Sequence, residues 1–239
     1  MLDKLTHGAR QLGLALSPTQ TEQFHLYYEE LVEWNRRVNL TAITEYEEVQ
    51  VKHFLDSLTL VLAFEDFPLA MGDCALLDVG TGPGMPGIPL KVLFPEMRLM
   101  LLDSVAKKTA FLTHLVECLR LDNVQVLTGR AEDVAHQPAY REEFDVVVSR
   151  ALSKLPTLAE LTLPFCRQGG LFIAQKKGPV DEELIQAQRA IGTLGGRVKA
   201  VKKVDLELLE DRVLVIVEKV SPTPERYPRR AGVPAQRPL

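Results

Sequence analysis

The residues most able to do chemistry lie in a glycine-rich segment, Asp78 to Gly87, which reads Asp-Val-Gly-Thr-Gly-Pro-Gly-Met-Pro-Gly. Glycines between a buried strand and a helix allow a tight turn and let a ligand approach the backbone at the helix N-terminus. Gly82, Gly84 and Gly87 match the G-x-G-x-x-G spacing of dinucleotide-binding loops, and Asp103 follows 19 residues after Gly84. This motif is weak by itself, because a turn that merely packs a helix on a sheet can also carry it.

Three details favour S-adenosylmethionine (SAM) over a dinucleotide. Asp78 ends the predicted strand, where its carboxylate could face the ammonium group of the methionine moiety. Pro83, Pro86 and Pro89 stiffen the loop and delay a regular helix, whereas a dinucleotide-binding helix starts within the motif. The third detail is the antiparallel pattern of the last two strands, described below. The loop residues expected to hold SAM are Asp78, Gly80, Gly82 and Gly84.

Further polar residues end the next strands, where the carboxyl ends of parallel strands form a ligand crevice. Asp103 could accept hydrogen bonds from both ribose hydroxyls of an adenosyl group, or it could cap the following helix. Ala131 and Glu132 would border the adenine, although Glu132 could equally be a solvated acid. Arg150 could hold either the cofactor carboxylate or a substrate phosphate bidentately.

The sequence supplies no evident residues for metal, covalent or acid–base chemistry. Its five histidines form no close pair and no metal-ligand spacing, so no metal is expected. Cys118 and Cys166 fall in predicted helices and are expected to be packing residues, not nucleophiles. The acceptor is therefore expected to be a good nucleophile already.

Apolar periodicity predicts the elements that position these residues. Residues 1–68 are predicted to be helical, with a capping box at Ser17 and a second start at Thr44, and Pro68 and Gly72 close the region. Short apolar runs then alternate with helical stretches, which is typical of a parallel sheet covered on both faces. Strands are predicted at 74–79, 98–102, 124–128, 144–149, 171–175, 197–204 and 212–219, and helices near 87–94, 105–121, 155–166 and 181–192.

The last two strands are joined by the acidic stretch Asp205 to Asp211 and are expected to form an antiparallel hairpin at the sheet edge. This order predicts an α/β, Rossmann-like SAM-dependent methyltransferase fold. Its seven-stranded, mostly parallel sheet would carry an N-terminal helical extension. The predicted units are the extension (1–68), a SAM-binding domain (69–220) and a basic C-terminal tail (221–239).

Composition sets the broad class. The 239 residues are 46% hydrophobic and 25% charged, which excludes a disordered or fibrous chain. No apolar run approaches the roughly 18 residues of a membrane helix, and the N-terminus lacks a signal-peptide pattern. The three cysteines have a wide, odd spacing that gives no disulfide framework, so reduced thiols in a cytoplasmic protein are expected. The net charge of −4 is unevenly distributed: residues 176–203 carry +4 and residues 221–239 carry +3. A polyanionic partner therefore stays possible.

These residues together resemble one family, the bacterial 16S ribosomal RNA (guanine-N7) methyltransferases, also called glucose-inhibited division protein B. The glycine loop is generic, but the combination of the other motifs is specific, and the match covers nearly the whole chain. The motifs are Trp34 to Ile43, His53 to Leu58, Asp78 to Gly87, Ser149-Arg150-Ala151 and Arg226 to Pro234.

The resemblance implies a cytoplasmic enzyme, expected to be a monomer, that uses SAM to methylate one guanine of 16S rRNA in the decoding-centre pseudoknot loop. Met85 stands where a leucine or phenylalanine is expected. The apolar contact should survive this change, because methionine repacks easily. Trp34, Asn35 and Asn39 fit a helical cap packed on the sheet, while His53, Asp56 and Ser57 could line the site or anchor their helix. The implied cofactor residues are Gly80, Met85, Asp103, Ala131, Glu132 and Arg150, and the expected RNA contacts are Arg226, Arg229, Arg230 and Arg237.

Guanine N7 is unprotonated near neutrality, which explains why the sequence shows no evident catalytic base. The sequence leaves three alternatives open. The first is a SAM enzyme for a small molecule, and the second is an RNA-binding ribosome-assembly factor that keeps SAM as a structural ligand. A nicotinamide dehydrogenase is the third.

Overall fold

The computed structural model describes residues 2–64 and 73–239, and those residues form one seven-stranded sheet with the order β3-β2-β1-β4-β5-β7-β6. The strands are β1 (Ala75–Val79), β2 (Arg98–Asp103), β3 (Val124–Thr128), β4 (Phe144–Arg150), β5 (Cys166–Lys177), β6 (Gly196–Leu206) and β7 (Leu209–Lys219). The helices before the sheet are α1 (Asp3–Gln11), α2 (Pro18–Val38), α3 (Tyr46–Val49), a π-helical turn (Gln50–Leu55), α4 (Asp56–Leu58) and α5 (Val61–Phe64). The later helices are α6 (Gly87–Leu93), α7 (Ala106–Cys118), α8 (Ala131–Val134), α9 (Leu155–Thr162), a 3-10 turn (Leu163–Phe165), α10 (Asp181–Thr193) and α11 (Val233–Gln236).

The strand pairing confirms the predicted mostly parallel sheet. Strands β1 to β5 pair in parallel, and β7 pairs antiparallel with both β5 and β6. The order reverses between β1 and β4, since β2 and β3 lie on one side and β5 on the other. In an open α/β sheet this reversal opens a crevice at the carboxyl ends of the strands.

Two apolar cores cover the sheet because successive strand side chains point to opposite faces. Leu76 and Leu101 lie in the core shared with the N-terminal helices, α6 and α7. Leu77 and Leu102 lie in the other core, with α9, α10 and Tyr227 from the C-terminal segment. Both ends of the chain are thereby built onto the sheet, one on each face.

Local sequence signals placed the start of α2 correctly and three other boundaries wrongly. The Ser17 capping box is present. The second N-terminal start is capped by Glu45, not Thr44, since its side chain accepts the Glu48 N–H at 2.9 Å. The predicted helix 155–166 is too long, because Pro164 lacks the N–H that a continuing helix needs.

The predicted acidic connection between β6 and β7 is also too long. Most of Asp205 to Asp211 belongs to the strands, where Leu206 and Leu209 are buried and the acidic side chains are exposed. The predicted close of the extension at Pro68 and Gly72, and so the boundary at 68/69, lies outside the described residues. Among the helices within 2–64 and 73–239, none has the length and apolar character to span a bilayer.

Candidate functional site

The carboxyl ends of β1 to β4 surround a cavity of about 360 Å³, which we call the first cavity. Its volume lies within the ~300–1,000 Å³ that small-ligand sites occupy. Five of the expected cofactor residues line it: Gly80, Asp103, Ala131, Glu132 and Arg150. The fold therefore brings residues from four separate segments to one cavity, as their positions at strand ends predict.

The other expected cofactor residues, Asp78, Gly82, Gly84 and Met85, belong to the loop but are not among the residues that line this cavity. The Asp78 carboxylate folds the loop back, since its Oδ2 accepts the Gly87 N–H at 2.8 Å and the Thr81 hydroxyl at 2.7 Å. Its Oδ1 is buried without a donor among the described residues. Burial raises the pKa of Asp78 to about 6.

This unpartnered oxygen is the structural test of the SAM prediction. A buried carboxylate oxygen without a donor costs free energy, which a ligand cation can recover. The ammonium group of SAM is such a cation, so the residues present fit the group. Gly80 lines the cavity beside this loop, and its φ of +70° is a backbone conformation that favours glycine.

Asp103 stabilises the local backbone and lines the first cavity, but it does not cap α7, whose N-cap residue is Val105. Its Oδ2 accepts the Gly82 N–H and its Oδ1 accepts the Val105 N–H, each at 2.9 Å, so it joins the glycine loop to the start of α7. It also lines the first cavity. A carboxylate has about four lone-pair sites, so two stay available for ribose hydroxyls.

The N-terminal extension fixes the loop from the opposite side. The Tyr27 hydroxyl donates to the Pro83 carbonyl at 2.6 Å. Trp34 contacts Phe111, with ring centroids 5.6 Å apart, which confirms its predicted packing role. Asn35 hydrogen-bonds the backbone of Thr41 in both directions, and Asn39 ends α2 with a φ of +53°.

Arg150 connects the first cavity to a second one, also of about 360 Å³, which lies between the sheet and the π-helical turn. Its Nη1 donates to Asp56 Oδ2 at 3.0 Å and to the Lys52 carbonyl at 3.1 Å. Asp56 is 2% exposed and forms a second ion pair, with Arg212 Nε 2.9 Å from its Oδ1. The guanidinium of Arg150 is thus fixed in place between the cavities.

His53, Asp56 and Ser57 were expected either to line the site or to anchor their helix, and the structure separates them. His53 and Asp56 line the second cavity, whereas Ser57 is fully buried and donates to the His53 carbonyl at 2.6 Å. Burial and the nearby Arg150 charge lower the pKa of His53 to about 4, so its ring is neutral near pH 7.

The two cavities differ in charge. The first is lined by Asp103 and Glu132 as well as Lys108, Arg130 and Arg150, a balance of +1. The second has Asp56 as its single carboxylate. Its cations are Lys52, Arg150, Lys176, Lys177 and Arg212, which leaves a balance of +4.

The C-terminal segment (residues 221–239) packs on α8 and α9. Arg229, which was expected to contact RNA, instead forms an ion pair within the protein. Its guanidinium holds Glu160, a fully buried carboxylate, through Nε at 2.9 Å and Nη2 at 2.6 Å. The Gly232 N–H donates to Glu132 at 2.9 Å, so this segment also contacts the first cavity. A guanidinium engaged with a buried carboxylate is not a free phosphate ligand, whereas Arg226, Arg230 and Arg237 are exposed.

Sequence reasoning missed most of the second cavity. Its residues Lys52, Gln175, Lys176, Lys177 and Arg212 come from three distant segments. One signal was available, since Gln175 ends the fifth predicted strand and Lys176-Lys177 follow it, on the same edge as Arg150.

A further cluster is also invisible in the spacing of the histidines. Glu30, His114 and Cys118 bring one ligand atom each within 4.8 Å of one another. His114 Nε2 lies 2.7 Å from Glu30 Oε2, a hydrogen bond that links α2 to α7. Cys118 is the last residue of α7 and so lies in the helix predicted for it, whereas Cys166 is the first residue of β5 and does not end a helix.

Comparison with known proteins adds an independent finding. The sequence matches the GidB family, described as rRNA small subunit methyltransferase G, over residues 20–214. It is 52% identical over 239 residues to the Ribosomal RNA small subunit methyltransferase G of Dehalococcoides mccartyi, covering 100% of both chains. It is 48% identical over 238 residues to the protein of the same name from Roseiflexus castenholzii, again covering 100% of both.

The fold has solved counterparts. A SAM dependent methyltransferase from Aquifex aeolicus superposes with a TM-score of 0.53 at 19% identity, covering 72% of this chain and 93% of that one. This likeness confirms the predicted methyltransferase fold.

Proposed function

Because the chain belongs to the rRNA small subunit methyltransferase G family, we propose that it transfers a methyl group from SAM to N7 of one guanine in 16S rRNA. The family match over residues 20–214 carries this proposal. The crevice at the strand-order reversal supports it, because this is where open α/β sheets bind their ligands. The family that the sequence motifs resembled is thereby confirmed.

The first cavity and the loop beside it are proposed to hold SAM. When bound, SAM supplies an electrophilic methyl group on a sulfonium. Asp78 Oδ1 would receive the ammonium group, and Asp103 would accept the ribose hydroxyls beside its two backbone donors. The other proposed contacts are Gly80, Gly82, Gly84, Met85, Ala131, Glu132 and Arg150.

The protein contributes orientation to the transfer, not a proton acceptor. Guanine N7 has a free lone pair, so no proton must leave before it bonds to the methyl carbon. The bond between that carbon and the sulfonium sulfur would break in the same step, and the positive charge would pass from sulfur to the guanine ring. His53 is neutral, but both of its ring nitrogens already have polar neighbours. Its Nε2 lies 2.8 Å from Thr41 Oγ1, and its Nδ1 lies 3.5 Å from Arg150 Nη2. Arg150 cannot act as a base and is held by Asp56, so it positions and stabilises charge. Holding N7 in line with the methyl carbon is the main source of rate.

The partner is proposed to be the small ribosomal subunit or its RNA. Arg226, Arg230 and Arg237 are exposed in the C-terminal segment and are proposed to contact RNA phosphates. We further propose a cytoplasmic monomer whose N-terminal extension and C-terminal segment position one SAM-binding domain.

The test uses purified protein, labelled SAM and naked 16S rRNA or small subunits. After nuclease digestion, we expect label in 7-methylguanosine, with many turnovers per protein molecule. Label in another nucleoside would overturn the assignment of N7. RNA binding without turnover would indicate an assembly factor, and transfer to small molecules alone would indicate a metabolic methyltransferase.

A further inference from the structure

We propose that the second cavity receives the target guanosine nucleotide, with Lys177 on its phosphate and Gln175 on the Watson–Crick edge of its base. This inference rests on the proposed function, because it names where the acceptor of that reaction binds.

Position is the first argument. The second cavity shares Arg150 and Ala151 with the first, so the two cavities meet at the end of β4. Methyl transfer needs the reacting atoms about 3–3.5 Å apart in the reactive arrangement. An acceptor seated in an adjoining cavity satisfies this requirement, whereas one bound at the C-terminal segment alone does not.

Charge is the second argument. A chain with a net charge of −4 places five cations and one carboxylate around this cavity. The carboxylate, Asp56, is already neutralised by Arg150 and Arg212. Lys177 is exposed at the end of β5 and has no ion pair within the described part of the chain. A free lysine at the mouth of a basic cavity is suited to a phosphate.

An unpartnered acceptor is the third argument. Gln175 is 5% exposed and lines the second cavity. Its Nε2 donates to the Asp56 carbonyl at 2.7 Å and to Thr59 Oγ1 at 3.1 Å, which fixes the amide. Its Oε1 is covered and has no donor among the described residues.

Guanine supplies what that oxygen lacks. Its Watson–Crick edge carries an exocyclic amine at C2, which is the donor for Gln175 Oε1 and is not used by the attacking N7. Adenine has no amine at C2. Reading this edge leaves N7 free, whereas an arginine gripping O6 and N7 would block the nucleophile. The base must be unstacked from its RNA loop to enter such a cavity.

The phosphate arm of the test compares Lys177→Ala with the control Arg189→Ala, which removes an exposed cation from the far half of α10. We expect Lys177→Ala to raise the KM for 16S rRNA and to lower the salt slope of RNA binding by about 1, as one lost phosphate contact does. SAM affinity should be unchanged in both variants. An RNA affinity and salt slope equal to those of the control would overturn the phosphate assignment.

The base arm uses RNA that carries inosine, which lacks the exocyclic amine, at the methylated position. We expect the wild-type protein to prefer guanine by about tenfold or more in kcat/KM, since a missing donor leaves the acceptor unpaired. Gln175→Leu should reduce that preference towards 1. No preference in the wild-type protein would overturn the role of Gln175, even if that variant does not fold.

The two proposals fail differently. If the wild-type protein makes no 7-methylguanosine, the proposed function is wrong, and RNA binding still reports on Lys177. If 7-methylguanosine forms but Lys177 and the inosine substitution have no effect, the acceptor binds elsewhere.

Discussion

The two cavities on either side of Arg150 are similar in volume and differ in how they are built. The first takes most of its wall from turns that directly follow β1, β2 and β3. The second combines the N-terminal extension with the ends of β4, β5 and β7, and it is far more basic. The sheet topology itself therefore supplies the first cavity, whereas the second cavity depends on the N-terminal extension packed beside the sheet.

The largest expected effect concerns the C-terminal segment, which contacts the first cavity through Glu132. We expect Arg229→Ala to lower the free energy of unfolding by about 3–5 kcal/mol, because it leaves the buried Glu160 carboxylate unpaired. SAM affinity should weaken as well. Chemical denaturation measures the first effect and calorimetry the second.

The matched control is Arg226→Ala, an exposed arginine of the same segment, which should change stability by less than about 0.5 kcal/mol. Equal stability losses in the two variants would show that the ion pair between Arg229 and Glu160 does not stabilise this segment.

The next effect is on cofactor affinity alone. We expect Asp103→Ala to cost about 1–3 kcal/mol of SAM binding, because ribose hydroxyls and the Gly82 and Val105 N–H groups lose their acceptor. Calorimetry checks the value, and Asp103→Asn, which keeps one acceptor oxygen, should lose less. A folded Asp103→Ala protein with unchanged affinity would remove Asp103 from the site.

A smaller effect follows from the raised pKa of Asp78, about 6. The carboxylate is charged above that pH and protonated below it, so SAM affinity should fall as the pH drops. Between pH 7 and pH 5 we expect about a tenfold loss, since the ionised fraction falls by about that factor. Binding titrations across this range measure it, and the pH dependence should disappear in Asp78→Asn. A flat affinity in the wild-type protein would show that Asp78 does not face the ammonium group.

The smallest expected effect is an absence of pH dependence in the second cavity. The pKa of His53 is about 4, so its ring stays neutral from about pH 6 to 8, where an ordinary histidine titrates. Single-turnover rates at saturating SAM should therefore be nearly flat in that window. A tenfold rise that disappears in His53→Asn would show that a base is needed.

The difference between the two cavities also explains which site residues could be predicted from the sequence. Strand-end positions such as Asp103 and Arg150 followed from the sequence, because a parallel sheet brings the carboxyl ends of its strands together. The second cavity did not follow, because Lys52 and Arg212 meet only through the packing of the N-terminal extension on the sheet. The role of Arg229 was wrong for a similar reason: its partner Glu160 lies 69 residues away and is fully buried, which composition cannot reveal.

The most direct test of the account is to map 7-methylguanosine on 16S rRNA in cells with and without this protein. We expect one guanine to carry the methyl group only when the protein is present. The wild-type chain should restore it, and Arg150→Ala, which disrupts the junction of the two cavities, should not. A 7-methylguanosine pattern that is identical with and without the protein would contradict the account.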